Sequence, residues 1–356
     1  MLRQDLISIM RNERRGLCAD TARVLLRVLS WVYGTIVCFQ RRLYTSGMIP
    51  RAGLGRPTLC VGNVTTGGAG KTPVVMRILR YLRATGHRPA VLMRGYMPGR
   101  ASDGAPLPSD EAAEYRYHFS DVPLGIHHNR RTAAQKILAE TPETDCFIMD
   151  DGFQHWPVKR DLDIVVIDAT DPFGGSRLLP RGFLREPVSG IRRADAVVVT
   201  RADQAPSAVP DIRRKLLSLK PDLIFAEARH KPVGFFDLCA CEELSADALA
   251  AQEAFLVSGI GNPSAFESSV QALGIKIIQH WRFPDHYAYT EEDMHNIRHT
   301  VRRHPRPLVI TTMKDCGKWV PFLGTMPDDV RVLAVMINIE IFKGEHEILE
   351  KIDHLF

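Results

Sequence analysis

From Val61 to Pro73 the chain reads Val-Gly-Asn-Val-Thr-Thr-Gly-Gly-Ala-Gly-Lys-Thr-Pro. Glycines 67, 68 and 70 let successive backbone N–H groups turn inward, and such a run forms a concave anion site. The lysine after the last glycine supplies a point charge for β- and γ-phosphates, and the Thr72 hydroxyl is a ligand suited to Mg²⁺. The nucleotide-binding set is therefore Gly62, Asn63, Thr65, Thr66, Gly67, Gly68, Ala69, Gly70, Lys71 and Thr72. The usual spacing of such a loop puts glycine at 65, where this chain has Thr65. Partition-type switch ATPases carry a lysine just before Gly-Gly-x-Gly-Lys-Thr; Thr66 stands there and argues against that class. The plain alternative is a glycine-rich turn that happens to precede Lys-Thr.

A second chemical feature follows the apolar run Cys146-Phe-Ile-Met149, which ends in Asp150-Asp151. Ligands of open α/β sheets bind beyond the carboxyl ends of strands. Two carboxylates there can hold a hard cation such as Mg²⁺, or its waters. A single aspartate would read as a turn cap; a pair after a buried strand reads as a metal site.

These groups need a frame. Thr58–Val61, Pro89–Met93, Asp145–Met149, Asp163–Ile167 and Ala194–Thr200 are short, mostly apolar runs, the pattern of strands buried on both faces. Thr72–Thr85 has Val74, Val75, Ile78, Leu79 and Leu82 at helical spacing. Pro73 suits a first helical turn, where its missing N–H costs nothing. Ala254–Ser258, Lys276–Ile278 and Pro307–Thr311 suggest a second βα series, and Ala228–Phe236 a hinge strand. The expected fold is α/β: a P-loop NTPase-like parallel sheet domain (46–228), a hinge and smaller C-terminal α/β domain (229–356), and an N-terminal membrane-associated helix (1–45). Residues 97–108, rich in Gly, Pro, Ala and Ser, sit where a lid would be.

The N-terminal 45 residues are amphipathic. Six arginines precede Val28–Phe39, and Arg41 and Arg42 follow it. The uninterrupted apolar part is shorter than the ~20 residues of a spanning helix. Apolar and aromatic residues between arginines suit an interfacial anchor, with Trp31, Tyr33 and Tyr44 at headgroup depth. A helix packed on its own domain is one alternative reading, and a tilted, partly spanning helix with Arg27 snorkelling is another.

Across all 356 residues the net charge is +5, with 45% apolar and 24% charged residues, ordinary for a globular protein with an anionic partner. No zinc pattern, aromatic RNA-binding run or basic helix supports nucleic acid as that partner. Seven scattered cysteines without a C-x-x-C pair suggest a reducing compartment and no disulfide framework.

Several motifs together resemble the tetraacyldisaccharide 4′-kinase (lipid A 4′-kinase) family. They are Gly62-Asn63 with Gly67–Pro73, Arg94-Gly95-Tyr96, Asp150-Asp151-Gly152-Phe153-Gln154-His155, Leu178-Leu179-Pro180 through Leu184-Arg185-Glu186-Pro187, Gly259-Ile260-Gly261-Asn262-Pro263 and Phe283-Pro284-Asp285-His286-Tyr287. The likeness runs from about Leu26 to Lys318. It departs at Arg181, where a small residue is commoner, at Gly175-Ser176, at Ser109 and at Met313. The resemblance implies transfer of the γ-phosphate of ATP, with Mg²⁺, to the 4′-hydroxyl of a lipid A disaccharide-1-phosphate precursor, giving lipid IVA. It implies Asp110 as catalytic base supported by His286, with Lys71 on the phosphates. Glu186 and Arg185 would lie by metal and phosphates. Arg94, Tyr96 and Gln154 would face phosphates or sugar, and Arg130, Arg131 and Arg185 could meet the substrate's existing phosphate, since guanidinium suits phosphate geometry. It further implies the anionic cytoplasmic face of a Gram-negative inner membrane, and it leaves the oligomeric state open.

A different class fits part of the pattern: a membrane-recruited P-loop NTPase switch that answers to a protein partner. The paired aspartates favour a kinase, and ATP turnover that requires a lipid acceptor separates the two.

Overall fold

The structure, a computed structural model, describes residues 2–95, 110–285, 287–327 and 329–356. Its elements in chain order are α1 (Leu2–Met10), α2 (Leu17–Thr45), β1 (Thr58–Gly62), α3 (Lys71–Ala84), β2 (Pro89–Met93), α4 (Asp110–His118), β3 (Leu124–Ile126), α5 (Arg130–Glu140), β4 (Cys146–Asp150), β5 (Leu162–Asp168), β6 (Ala196–Thr200) and α6 (Val209–Leu219). There follow β7 (Ile224–Asp237), β8 (Glu242–Ser245), β9 (Glu253–Ser258), α7 (Pro263–Ala272), β10 (Lys276–Arg282), α8 (Glu291–Val301), β11 (Leu308–Thr312), α9 (Cys316–Leu323), β12 (Arg331–Lys343) and α10 (Glu345–Asp353). Contacts divide them into two units. The first takes the described residues of 1–95, 122–229 and 341–356, and the second those of 96–121 and 230–340.

The first unit is built on a parallel sheet in the order β7-β6-β5-β1-β4-β2-β3. β1, β2, β4 and β6 are buried at every position, which is why they read as unbroken apolar runs. α3 lays Val74, Val75, Ile78, Leu79 and Leu82 against β1, β2 and β4. Both β1 and β4 carry their carboxyl ends to one edge, in register from Thr58↔Phe147 to Val61↔Asp150. That register brings the phosphate loop after β1 beside the aspartates after β4.

The N-terminal segment is two helices and not one. Asn12 (φ 63°) and Gly16 (φ 119°) both take left-handed backbone, which ends α1 and starts α2 afresh. α2 runs for 29 residues, through the arginines that flank the apolar stretch. It is therefore long and apolar enough to cross a membrane by length and composition, more than the stretch 28–39 alone suggests. Ala19, Ser30 and Gly34 form its buried stripe, whereas Leu17, Val24, Leu25, Trp31, Val32, Ile36 and Phe39 are exposed.

In the second unit β9 pairs in parallel with β10 and β11, and β11 with β12. β8 pairs antiparallel with the distal half of β7. Trp319, Met294 and Ile297 lie in one buried cluster with Phe255 and Val257. Two segments fall differently from the expected 46–228 and 229–356 division. α4 clusters with the second unit, where Tyr117 packs on Phe236 with ring centroids 4.6 Å apart and bonds Glu243. α10 clusters with the first, where Glu345 pairs with Arg77 at 2.8 Å and Asp353 accepts from Tyr81 at 2.7 Å, both on α3.

Candidate active site around the phosphate loop

The loop between β1 and α3 owes its shape to small residues. Gly67 (φ 118°) and Gly70 (φ 84°) take backbone that L side chains rarely adopt, and Gly70 caps α3. Nothing lies within 4 Å of where a Cβ would stand on Gly67 or Gly68, so that face of the loop is open. Gly62 is needed for the opposite reason: a Cβ there would lie 2.5 Å from Phe153 Cβ. Asn63 is wholly buried, and its side-chain oxygen accepts from Lys71 Nζ at 3.3 Å. Lys71 and Thr72 open the helix, so the orphan N–H groups of the first turn and the partial positive helix end share the site.

Asp151, also left-handed (φ 52°), meets Lys71 Nζ at 3.5 Å and Arg185 Nη1 at 2.8 and 2.9 Å. Burial would raise its carboxyl pKa; Lys71 and Arg185 outweigh that and hold it below the usual value. Asp150 is buried at the end of β4. Gln154 is a junction: its amide donates to the Asn63 carbonyl at 2.8 Å and to Glu186 at 2.9 Å, and its oxygen accepts from Arg185 at 3.5 Å. Glu186 is fully buried, with both oxygens taken by Arg193 at 2.8 and 3.1 Å. Arg193 in turn lies over Phe153 and Trp156, 4.1 and 4.2 Å from their centroids. Glu186 is thus already neutralised, and it reaches the loop through Gln154.

The structure brings Asn63, Lys71, Asp151, Gln154, Arg185 and Glu186 into one connected network. Arg130 is no solvated surface group. It opens α5, is buried, and donates to the carbonyls of His127 at 3.3 Å and Asp150 at 3.5 Å. Burial lowers its pKa, with Asp151 working against that. Arg94 and Arg131 are exposed. His155 is half-buried and pushed down to about 4 by burial and by Arg130, Arg160 and Arg94, so its ring is neutral near pH 7. Asp110 is the first residue of α4 and so belongs to the second unit. Tyr96 and His286 lie outside the described residues. The neighbours of His286 are braced: Phe283 N–H donates to the Ser258 carbonyl at 2.8 Å, and Asp285 pairs with Lys314 at 3.3 Å.

Sequence reasoning missed the rear support of the loop. Thr200 Oγ1 donates to the Ala69 carbonyl at 2.8 Å and Arg201 Nη1 to that of Gly68 at 3.2 Å, while Arg201 also grips Asp168. The available signal was the polar Thr200-Arg201 at the end of a fully apolar strand, the place where ligand-side residues gather.

Residues 22–356 match the family described as tetraacyldisaccharide-1-P 4′-kinase. A tetraacyldisaccharide 4′-kinase of Elusimicrobium minutum is 35% identical over 343 residues, covering 91% of this chain and 89% of that one. One from Syntrophobacter fumaroxidans is 36% identical over 297 residues, covering 81% and 76%. Among solved structures, LpxK from Aquifex aeolicus in complex with ATP superimposes with a TM-score of 0.70 at 27% identity, covering 94% of this chain and 99% of that one. With a phosphate loop, an acidic strand end and a match along nearly its whole length, the chain belongs to the tetraacyldisaccharide-1-P 4′-kinase family.

Proposed function

We propose that the chain is an ATP-dependent kinase that phosphorylates the 4′-hydroxyl of a tetraacyldisaccharide 1-phosphate, giving lipid IVA in lipid A biosynthesis. The observation that carries this reading is the joining of Lys71, at the end of the phosphate loop, to Asp151, at the end of β4, within 3.5 Å. Phosphoryl transfer asks mainly for placement and charge neutralisation. The loop N–H groups, Lys71 and the α3 N-terminus hold the phosphates. The acceptor oxygen bonds to the γ-phosphorus as the bridge to ADP breaks, and the hydroxyl proton goes to Asp110, supported by His286. Arg185 and Gln154 fix Asp151 and Asn63, and the exposed Arg94 and Arg131 would meet the phosphate the substrate already carries.

Mg²⁺ suits the donor set. Among the described residues no cluster of three His, Cys, Asp or Glu could hold a metal alone. Mg²⁺ typically takes one or two carboxylates, a hydroxyl and substrate phosphates. Thr72, Asp150 and Asp151 are that set, and Glu186 assists through Gln154. When bound, the ion neutralises charge on the β- and γ-phosphates.

Our reading of α2 is an interfacial anchor on an anionic cytoplasmic leaflet, with its exposed apolar face in the interface; the bonds of Ser30 and Tyr33 to segment 178–185 of the first unit support it. Incubation with ATP, Mg²⁺ and the disaccharide 1-phosphate, read by mass spectrometry, should show one added phosphate on the acceptor. ATP hydrolysis that ignores the acceptor and responds to a protein partner would overturn the reading in favour of a switch.

A further inference from the structure

One segment, residues 178–185, lies between α2 and the phosphate loop and is bonded to both. On the α2 side, Ser30 Oγ donates to the Leu178 carbonyl at 2.8 Å and accepts the Arg181 N–H at 2.9 Å. One turn on, the Tyr33 hydroxyl donates to the Arg185 carbonyl at 2.7 Å. Gly34 lets the two approach, since a Cβ there would stand 2.7 Å from Leu178 Cδ1. On the loop side, Arg185 N–H donates to the Val64 carbonyl at 2.8 Å, and Thr66 N–H to the Phe183 carbonyl at 2.7 Å. Thr65 and Leu184 form an antiparallel bridge between these bonds. Arg185 sends its guanidinium to Asp151, the partner of Lys71.

The path from α2 to Lys71 therefore crosses the Arg185 backbone, which is held on one side by Tyr33 and on the other by Val64. Burial raises the Tyr33 phenol above its usual pKa, so it remains a donor. A helix that only anchored the protein would need an apolar stripe; it would not need two hydroxyls bonded to the backbone of the segment that carries Arg185.

We propose that Ser30 and Tyr33 are positioning residues for phosphoryl transfer: α2 sets segment 178–185, and through it the first half of the phosphate loop and the Arg185–Asp151–Lys71 chain. The membrane-facing helix is then a working part of the nucleotide site. This goes beyond the kinase reading and rests on it.

The test compares Tyr33→Phe, Ser30→Ala and the double variant with Thr35→Ala, whose exposed hydroxyl bonds only within α2. Rates are measured with the acceptor in detergent micelles and in phospholipid vesicles, together with melting temperature and with hydrogen–deuterium exchange, which needs no acceptor. Tyr33→Phe should lower kcat about tenfold, the worth of one lost interior hydrogen bond, in micelles and vesicles alike. The KM for acceptor should move less than about twofold, because the loss is in the transition state. Exchange should quicken at 64–66 and 178–185 and not at 196–200, and Thr35→Ala should behave as wild type. A defect confined to vesicles and to KM would mean that the hydroxyls serve anchoring, and the proposal falls. A lowered melting temperature with unchanged kcat would mean a structural role, and it falls equally. If the unaltered protein phosphorylates no acceptor, the kinase reading fails. Exchange then judges the linkage by itself, and unchanged exchange at 64–66 in Tyr33→Phe overturns it.

Discussion

The ammonium of Lys71 stands 3.5 Å from the Asp151 carboxylate, whose two oxygens also receive the Arg185 guanidinium at 2.8 and 2.9 Å. One anion thus restrains two cations beside the phosphate loop. Asp151→Asn should release both and remove a charge that a hard cation prefers. The expected result is a kcat lower by about two orders of magnitude and a higher Mg²⁺ concentration for half-maximal rate. Asp150→Asn should shift the Mg²⁺ dependence in the same direction. Initial rates against Mg²⁺ decide it; if neither curve moves, the acidic pair is structural.

Lys71→Ala removes the charge itself. Transfer should fall by about three orders of magnitude or more, since in the proposed mechanism that charge would act on the transferring group in the transition state. Circular dichroism and melting should stay close to wild type. Near-normal turnover in a folded variant would sink the assignment of the phosphate loop.

Two glycines of the same loop should separate stability from function. A Gly62→Ala Cβ would meet Phe153 Cβ at 2.5 Å and the Phe153 backbone nitrogen at 2.8 Å. Overpacking against backbone should cost about 1–3 kcal/mol in urea unfolding. Gly67→Ala meets nothing within 4 Å and carries only the strain of its φ of 118°, about 1 kcal/mol. Its effect should appear instead in ATP use, since the new methyl stands on the open face. An unfolding midpoint for Gly62→Ala no lower than wild type, or unchanged ATP use in Gly67→Ala, would contradict this.

The neutral ring of His155 gives a pH signature. Its pKa is near 4 in the folded chain and 6.5 in the reference state. Between those values the unfolded chain binds the proton first, so this contribution is complete above pH 6.5 and is lost as pH falls towards 4. Allowing for the partly exposed ring, the loss is roughly 1–2 kcal/mol. His155→Gln should flatten the dependence of unfolding free energy on pH across that window, and an unchanged slope would refute the assignment.

The exposed face of α2 should bind membrane without serving the fold. Trp31, Ile36 and Phe39 are 70%, 60% and 63% exposed. Replacing all three by serine removes several kcal/mol of apolar burial in a bilayer, so binding to anionic vesicles should weaken at least about tenfold. The melting temperature should barely change. Undiminished sedimentation with vesicles would point to another anchor.

What the sequence disclosed and what it hid have physical causes. The phosphate loop and β1, β2, β4 and β6 were legible because glycine clusters and doubly buried strands leave local marks. Arg130 was not, since nothing nearby in sequence shows that it is buried and bonds the Asp150 carbonyl twenty residues away. Thr200 and Arg201 support Gly68 and Ala69 over more than 130 residues, and only folding brings them together. The side taken by α4 was equally hidden. Asp-Glu-Ala-Ala-Glu-Tyr-Arg-Tyr-His has too weak an apolar stripe to name its partner. That matters for Asp110, which clusters with the unit holding described residues of 230–340, residues 283–285 and Tyr287 among them.

The attachment of α10 to α3 has a consequence for biosynthesis. Glu345 and Asp353 hold Arg77 and Tyr81, and Lys343 pairs with Glu227 at 2.9 Å, so β12 and α10 complete a unit whose other parts lie at 1–95 and 122–229. Domains commonly fold in the order of their synthesis, the N-terminal one first. Here that order is unavailable: the nucleotide-binding unit must wait, partly assembled, while residues 230–340 of the other unit are translated, and it closes only once 341–356 have been made. A nascent chain stalled before residue 341 would carry a phosphate loop on a helix that lacks its contacts to Glu345 and Asp353, and truncation at residue 340 should harm the unit that holds the phosphate loop first.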